Sequence, residues 1–188
     1  MNQISFHYIS DEYIDYLRKI DPRVRENKQE TRPYVVLGII INNFEYYIPL
    51  SSPKFLVSDD GTKKLKKPKL YKNLYYIMER ENQDNQTEYL GTLLFNNMIT
   101  APLTEVNYIE IHELFKTNPD YAVLLTKQID IIKQNFNDIE KQAELVYKMN
   151  SAIKGLTNLN YVQDRILKEC CDFQSIEIAR TNFETRKR

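Results

Sequence analysis

The chain predicts an α+β fold: a compact, antiparallel, partly open β-barrel with helices packed on it and a C-terminal half that is mainly helical. Three observations carry this prediction. Short runs rich in Val, Ile, Tyr and Phe, bounded by Asn, Pro and Gly, dominate before residue 102. Beyond it the apolar residues recur at helical spacing. Tight turns join the strands, and strands segregated from helices mark α+β, for which a small curled sheet backed by helices is the natural packing. At 188 residues the chain suits one well-cored domain. That domain is expected over residues 1–173, with 174–188 as a partly disordered tail ending Thr185-Arg186-Lys187-Arg188.

The elements follow in order. Ile4 to Ile9 reads as a strand, and Ser10 caps a helix whose first turn carries Asp11 and Glu12, where carboxylates suit the helix dipole. Tyr13, Ile14, Leu17 and Ile20 form its apolar stripe, and Pro22 ends it. The polar stretch 21–32 is a loop with Arg23, Arg25, Lys28 and Arg32 available to an anion. Tyr34 to Ile41 is a nearly continuous apolar run and reads as a strand buried on both faces. Asn42-Asn43 tolerates the left-handed backbone of a two-residue hairpin, so Phe44 to Leu50 returns antiparallel and Arg32 comes beside Ser51. Ser58 to Gly61 is a turn, Tyr71 to Met78 a strand, and Tyr89 to Phe95 and Met98 to Ala101 two more strands around Asn96-Asn97. Tyr108, Ile111, Leu114 and Phe115 make a short helix, and Asn118-Pro119 caps the next. Apolar spacing from Tyr121 to Met149 describes one long helix or two joined near Asn135 to Asp138. After Gly155 a last helix carries Leu159, Val162, Ile166 and Cys170.

Acidic and basic residues balance at 26 each, so any anionic partner must be met by a local patch. Cys170 and Cys171 are adjacent in a helical pattern, where a mutual bridge is badly strained, and they read as reduced thiols. The N-terminus lacks the pattern of a signal peptide and no run approaches a membrane span, so the expectation is a cytoplasmic protein. His7 and His112 have no catalytic or metal-ligand spacing around them and read as structural, and Glu110 and Glu113 as a helix surface. With only 4 glycines there is no glycine-rich phosphate loop.

The anion-directed features lie elsewhere. In Tyr47-Ile48-Pro49-Leu50-Ser51-Ser52-Pro53-Lys54 a strand stopped by proline delivers two hydroxyls and an ammonium to one bend, a set that can hold a phosphate and equally composes an ordinary surface turn. Lys63, Lys64, Lys66, Lys67, Lys69 and Lys72 then run without an acidic residue between them, followed by Tyr71, Tyr75 and Tyr76. That run is either a solvated face or a phosphate-tracking patch with rings for base stacking. Three functions use such cations: RNA cleavage, RNA binding without catalysis, and docking of an acidic protein.

Four segments in order sharpen the choice: Ile9-Ser10-Asp11-Glu12-Tyr13-Ile14-Asp15-Tyr16-Leu17, Arg32-Pro33-Tyr34, the Pro-Leu-Ser-Ser-Pro-Lys block, and Phe95-Asn96-Asn97-Met98-Ile99. Together they resemble the type III toxin family that includes ToxN and AbiQ, over most of the chain outside Gly61 to Asn85 and the tail. The resemblance implies a bacterial endoribonuclease on a MazF/Kid-like barrel, held inactive by a repeat RNA antitoxin of pseudoknots in closed toxin–RNA rings, often three of each. It implies cleavage without metal or other cofactor, by attack of the ribose 2′-hydroxyl to leave a 2′,3′-cyclic phosphate, and a part in abortive phage defence. It places Ser52, Ser51, Lys54 and Tyr13 at the family's functional positions. Arg32 stands where a related member has lysine, which keeps the charge but supplies a guanidinium that does not deprotonate. The lysine run, Tyr71 and the Arg23, Arg25 and Lys28 loop are the expected RNA grip.

Overall fold

A seven-stranded antiparallel sheet, open at both edges, carries the fold of the computed structural model, which describes residues 4–27 and 32–186. Its strands are β1 (Ser5–Ile9), β2 (Tyr34–Ile41), β3 (Phe44–Ser51), β6 (Tyr76–Glu81), β7 (Thr87–Leu93), β8 (Ile99–Thr100) and β9 (Val106–Tyr108). A separate two-stranded ribbon is made of β4 (Phe55–Val57) and β5 (Lys63–Leu65). The helices are α1 (Asp11–Ile20), α2 (Ile111–Thr117), α3 (Pro119–Gln134), α4 (Phe136–Ile153), α5 (Tyr161–Glu169) and α6 (Phe173–Arg186). The main sheet runs β6-β7-β3-β2-β1-β9, with β8 also on β3. The expected α+β class holds, while the two ends of the sheet, β6 and β9, do not pair and no barrel closes among the described residues.

Local chemistry explains the elements. Ser10 Oγ accepts the Tyr13 amide at 3.2 Å and caps α1, whose Tyr13, Ile14 and Leu17 are buried. Asn42 and Asn43 take positive φ of 50° and 64°, the mirror-image turn that matches strand twist, and set Ile41 opposite Phe44. A bulge between Val36 and Ile40 lets β2 curl, and Ile40 is exposed, so β2 is buried on both faces over only part of its length. The long helical pattern resolves into α3 and α4 meeting at Asn135.

Three expectations are corrected. Residues 174–186 are no frayed tail: α6 buries Phe173, Ile176, Ala179 and Phe183, because Phe183 fills the space against the Tyr13 and Tyr16 rings. Tyr71 precedes a single 3-10 turn, and the strand starts only at Tyr76. Tyr108 ends a strand paired to His7, not a helix. The ribbon β4–β5 had no forecast, since three-residue strands are too short to show a period.

The core lies between the sheet and the helices. α3 is tied to β7 by Gln128, whose amide donates to the Leu90 carbonyl at 2.7 Å. α4 and α6 meet β3 around a buried carboxylate: Glu177 accepts from Tyr46 at 2.7 Å and from Tyr147 at 3.0 Å. Both cysteines are buried free thiols whose pKa values burial raises. Among the described residues no helix is long and apolar enough to cross a membrane.

Candidate active site

β3 is the strand that builds the site, because it changes neighbours along its length. Tyr46 and Tyr47 pair with Thr100 and Ile99 of β8, whereas Leu50 and Ser51 pair with Leu93 and Thr92 of β7. Pro49 stands between these two pairings. It has no amide hydrogen to give, and its carbonyl accepts from Leu94 at 3.1 Å. On the other edge the hairpin register sets Tyr34 opposite Pro49, so the start of β2 and the end of β3 lie together. The Leu50 amide donates to the Pro33 carbonyl at 3.0 Å. The Arg32 guanidinium donates to the Leu50 carbonyl at 3.2 Å and to the Glu26 carbonyl at 2.9 Å, which fixes it beside Ser51 as the hairpin argument requires.

Past Ser51 the chain leaves the sheet through Ser52 and Pro53 to Lys54. The ribbon then returns it, and the Lys66 amide closes on the Lys54 carbonyl at 2.7 Å. This closure brings the middle of the lysine run back to the serines. The result is a cleft of about 500 Å³ lined by the cations Arg25, Arg32, Lys54, Lys66, Lys67 and Lys69. Three hydroxyls, Ser51, Ser52 and Thr92, also line it, and among the described residues that line it none is a carboxylate. Among the described residues, none of these six cations forms an ion pair with Asp or Glu. Burial above all lowers the Arg32 pKa from its ordinary value, with the neighbouring Arg25 acting in the same direction and Tyr34 and Glu26 opposing it. Among the described residues the Ser51 hydroxyl makes one long contact, 3.5 Å to the Ser52 carbonyl, which leaves it available as a donor to a ligand. Such a set can surround the nonbridging oxygens of a phosphodiester with charge and fixed donors.

The remaining residues singled out in the sequence divide. Tyr13 does not reach the cleft: it is fully buried, donates its hydroxyl to the Thr100 carbonyl at 2.9 Å, and packs edge-on against Phe183. Burial also raises its pKa well above the ordinary phenol value, which disfavours proton release. Its position supports the β8 side of β3 from beneath. Arg23 is turned away, fork-bonded to Asp21 and donating to the Leu167 carbonyl at 2.6 Å. Lys63 and Lys64 stand exposed on β5, outside the cleft lining, and Lys72 lies in the 3-10 turn. Tyr71 is half-buried against the core, its amide held by the Glu169 carboxylate at 2.9 Å. Lys28 lies outside the described residues.

Two residues of the site went unforeseen. Thr92 is legible only once the β3–β7 register is known. Asn97 accepts from the Arg25 Nε at 2.8 Å and donates to the Arg23 carbonyl at 2.9 Å, so it aims the Arg25 guanidinium at the cleft. The adjacent Asn96 donates to the Glu169 carbonyl at 2.7 Å and accepts from the Cys171 amide at 2.8 Å. The pair thus clamps the arginine loop to the C-terminal helices. Asn96-Asn97 was visible as a motif, but its partners lie more than 70 positions away in the chain.

The open antiparallel sheet thus carries a cationic, hydroxyl-bearing cleft whose chemistry suits a phosphate-bearing anion. The chain belongs to the ToxN family: the family model described as toxin ToxN, type III toxin–antitoxin system, matches residues 5–180. A curated relative, endoribonuclease ToxN of Bacillus thuringiensis subsp. kurstaki, is 35% identical over 174 residues, covering 92% of this chain and 80% of the relative. A solved structure from work on selective toxin inhibition by a non-coding RNA pseudoknot superposes with a TM-score of 0.76 at 30% identity, over 97% of this chain and 98% of that one. The structure of AbiQ, described as a lactococcal anti-phage endoribonuclease of the type III class, superposes with a TM-score of 0.72 at 27% identity, over 97% of this chain and 99% of that one.

Proposed function

We propose that this chain is a bacterial type III toxin: an endoribonuclease that cuts single-stranded RNA and is silenced by a repeat RNA antitoxin of pseudoknots. The cationic cleft around Ser51, Ser52 and Lys54, with no carboxylate among its described lining residues, is the observation that carries this reading. Family membership adds that relatives of the same architecture are named endoribonucleases, and one solved relative is described with an inhibitory RNA pseudoknot. The chain's place is then in phage defence, where the RNA-silenced toxin is released. Its antitoxin complex is a closed toxin–RNA assembly, with three of each as the expected count. The open sheet is read as a relative of the MazF and Kid barrel whose edge strands have parted.

The reaction needs no metal on this reading. The ribose 2′-oxygen attacks the adjacent phosphorus, the new bond forms as the bond to the 5′-oxygen breaks, and a 2′,3′-cyclic phosphate and a 5′-hydroxyl result. The 2′-hydroxyl loses its proton and the departing 5′-oxygen gains one. Negative charge grows on the nonbridging oxygens during the attack, and donors already aimed there lower the barrier most. Lys54 and Arg32 supply the compensating positive charge, while Ser51 and Ser52 hold the phosphodiester by hydrogen bonds. A serine is a weak base without help, and no histidine lines the cleft, so both serines are assigned positioning roles. Lys66, Lys67, Lys69 and Arg25 extend the positive surface along the strand.

Incubating the purified protein with a long RNA in the presence of chelator tests this. Discrete fragments with cyclic-phosphate ends are expected. Intact RNA that remains bound would identify a binding module instead.

A further inference from the structure

We infer that the β4–β5 ribbon is a seat for an unpaired nucleobase next to the phosphodiester held at Lys54, an assignment that rests on the phosphate-binding reading of the cleft. The ribbon stands outside the seven-stranded sheet and is closed at its base by the Lys66 amide on the Lys54 carbonyl. Phe55 pairs with Leu65, Leu56 with Lys64, and Val57 with Lys63. Directly opposed residues leave a ribbon on the same side, so Phe55, Leu65 and Val57 share one face and Leu56 lies on the other. Leu65 lines the cleft and Phe55, paired with it, lies just outside the lining, between Lys54 of the cleft and the rest of the ribbon. The Phe55 ring meets the Tyr89 ring with centroids 6.1 Å apart, forming a two-ring step there.

Exposure and charge together select the occupant. Phe55, Leu56 and Val57 are 42%, 53% and 64% exposed, a run of three consecutive apolar side chains in water that a mere surface turn does not require. Around them stand Lys54, Lys63, Lys64, Lys66 and Lys67, and among the described residues none of these is paired with a carboxylate. A second copy of the same ribbon would set five lysines against five, offset only by Asp59 and Asp60 of its turn, and acidic side chains alone would leave the apolar side chains uncovered. A flat ring covalently joined to a phosphate covers apolar side chains of the Phe55 face and meets the lysine charge at once. Aromatic and aliphatic side chains seat such rings without demanding a particular base.

The chain has 0 tryptophans, so Phe55→Trp introduces a single reporter at the seat. The probes are 2′-O-methyl oligonucleotides of mixed sequence, which lack the attacking hydroxyl, and the same backbone built from abasic units. Base-bearing oligonucleotide is expected to quench the tryptophan emission, whereas abasic backbone is not. Phe55→Ala, with a melting curve matching wild type, is expected to weaken base-bearing oligonucleotide about 5- to 100-fold and to leave abasic binding unchanged. Lys54→Ala should weaken both. Unquenched emission on a bound oligonucleotide, or equal losses for both backbones in Phe55→Ala, overturns the base seat while the phosphate cleft stands. A wild-type dimer that Phe55→Ala dissolves also overturns it. If wild-type protein binds neither backbone, the phosphate reading and the base seat fall together.

Discussion

Most cations of the helical half are paired with carboxylates, whereas those of the cleft are not, among the described residues. Along the helices Lys116 pairs with Glu113, Lys148 with Glu144, Lys154 with Asp172, Arg165 with Glu169, Lys168 with Asp164 and Arg180 with Glu184. Around the bend after β3 the cations have no carboxylate partner among the described residues, although the chain as a whole is balanced at 26 of each sign. Pairing on a solvated helix is worth only a few tenths of a kcal/mol, so it adds little to the fold. Leaving like charges together opposes folding by mutual repulsion and is compensated when a polyanion arrives. The difference separates charge that decorates a scaffold from charge kept open for a ligand.

The strongest way to break this contrast is Lys54→Ala. Removing one preorganised charge from the attacked phosphate is expected to slow RNA cleavage about 100- to 1,000-fold, with Ser52→Ala falling in the same direction. Because Lys54 is exposed, the thermal midpoint should stay at the wild-type value. Toxicity in cells at matched expression, followed by cleavage of a defined RNA in vitro, measures it; undiminished rates in both variants would remove the bend from the active site. Next in size is the reverse case, a carboxylate whose loss harms the scaffold and spares the cleft. Glu177 is buried and accepts from both Tyr46 and Tyr147, so Glu177→Ala strands two hydroxyls and is expected to destabilise by about 3 kcal/mol in urea unfolding. Cleavage per folded molecule should be unchanged.

How far each region was legible follows from the range of the forces that shape it. The α1 cap at Ser10, the Asn42-Asn43 hairpin and the approach of Arg32 to Ser51 are set by contacts within or across one turn, and residue type discloses them. The return of Lys66, Lys67 and Lys69 to the serines depends on a ribbon of three-residue strands, too short to show alternation. Thr92 enters the cleft through β3–β7 pairing across some forty residues, and Asn97 through partners at both ends of the chain. Tyr13 shows the converse. Its place in the motif suggested chemistry, yet the periodicity of α1 already marked it as a core position, and the core is where it lies. A shared motif reports that a residue matters without saying whether it touches the ligand or holds the strand that does.

Two smaller measurements sharpen the comparison. Replacing Lys66, Lys67 and Lys69 together by Gln should lower the steepness of log affinity against log salt by about 2 for single-stranded RNA, since each phosphate neutralised by a cation contributes about 0.7. An unchanged slope would return the lysine run to the status of a solvated face. The smallest effect belongs to the helical half. Lys148 and Lys168 are 71% and 73% exposed and each bonds a carboxylate one turn earlier. Lys148→Gln and Lys168→Gln should each shift unfolding free energy by no more than about 0.5 kcal/mol, with RNA affinity and its salt slope at wild-type values. The pair of variants removes as much formal positive charge as two of the three cleft substitutions. A cleft effect with no helix effect therefore assigns RNA binding to where charge is left unpaired, and equal reductions at both places would mean that net charge alone attracts the RNA.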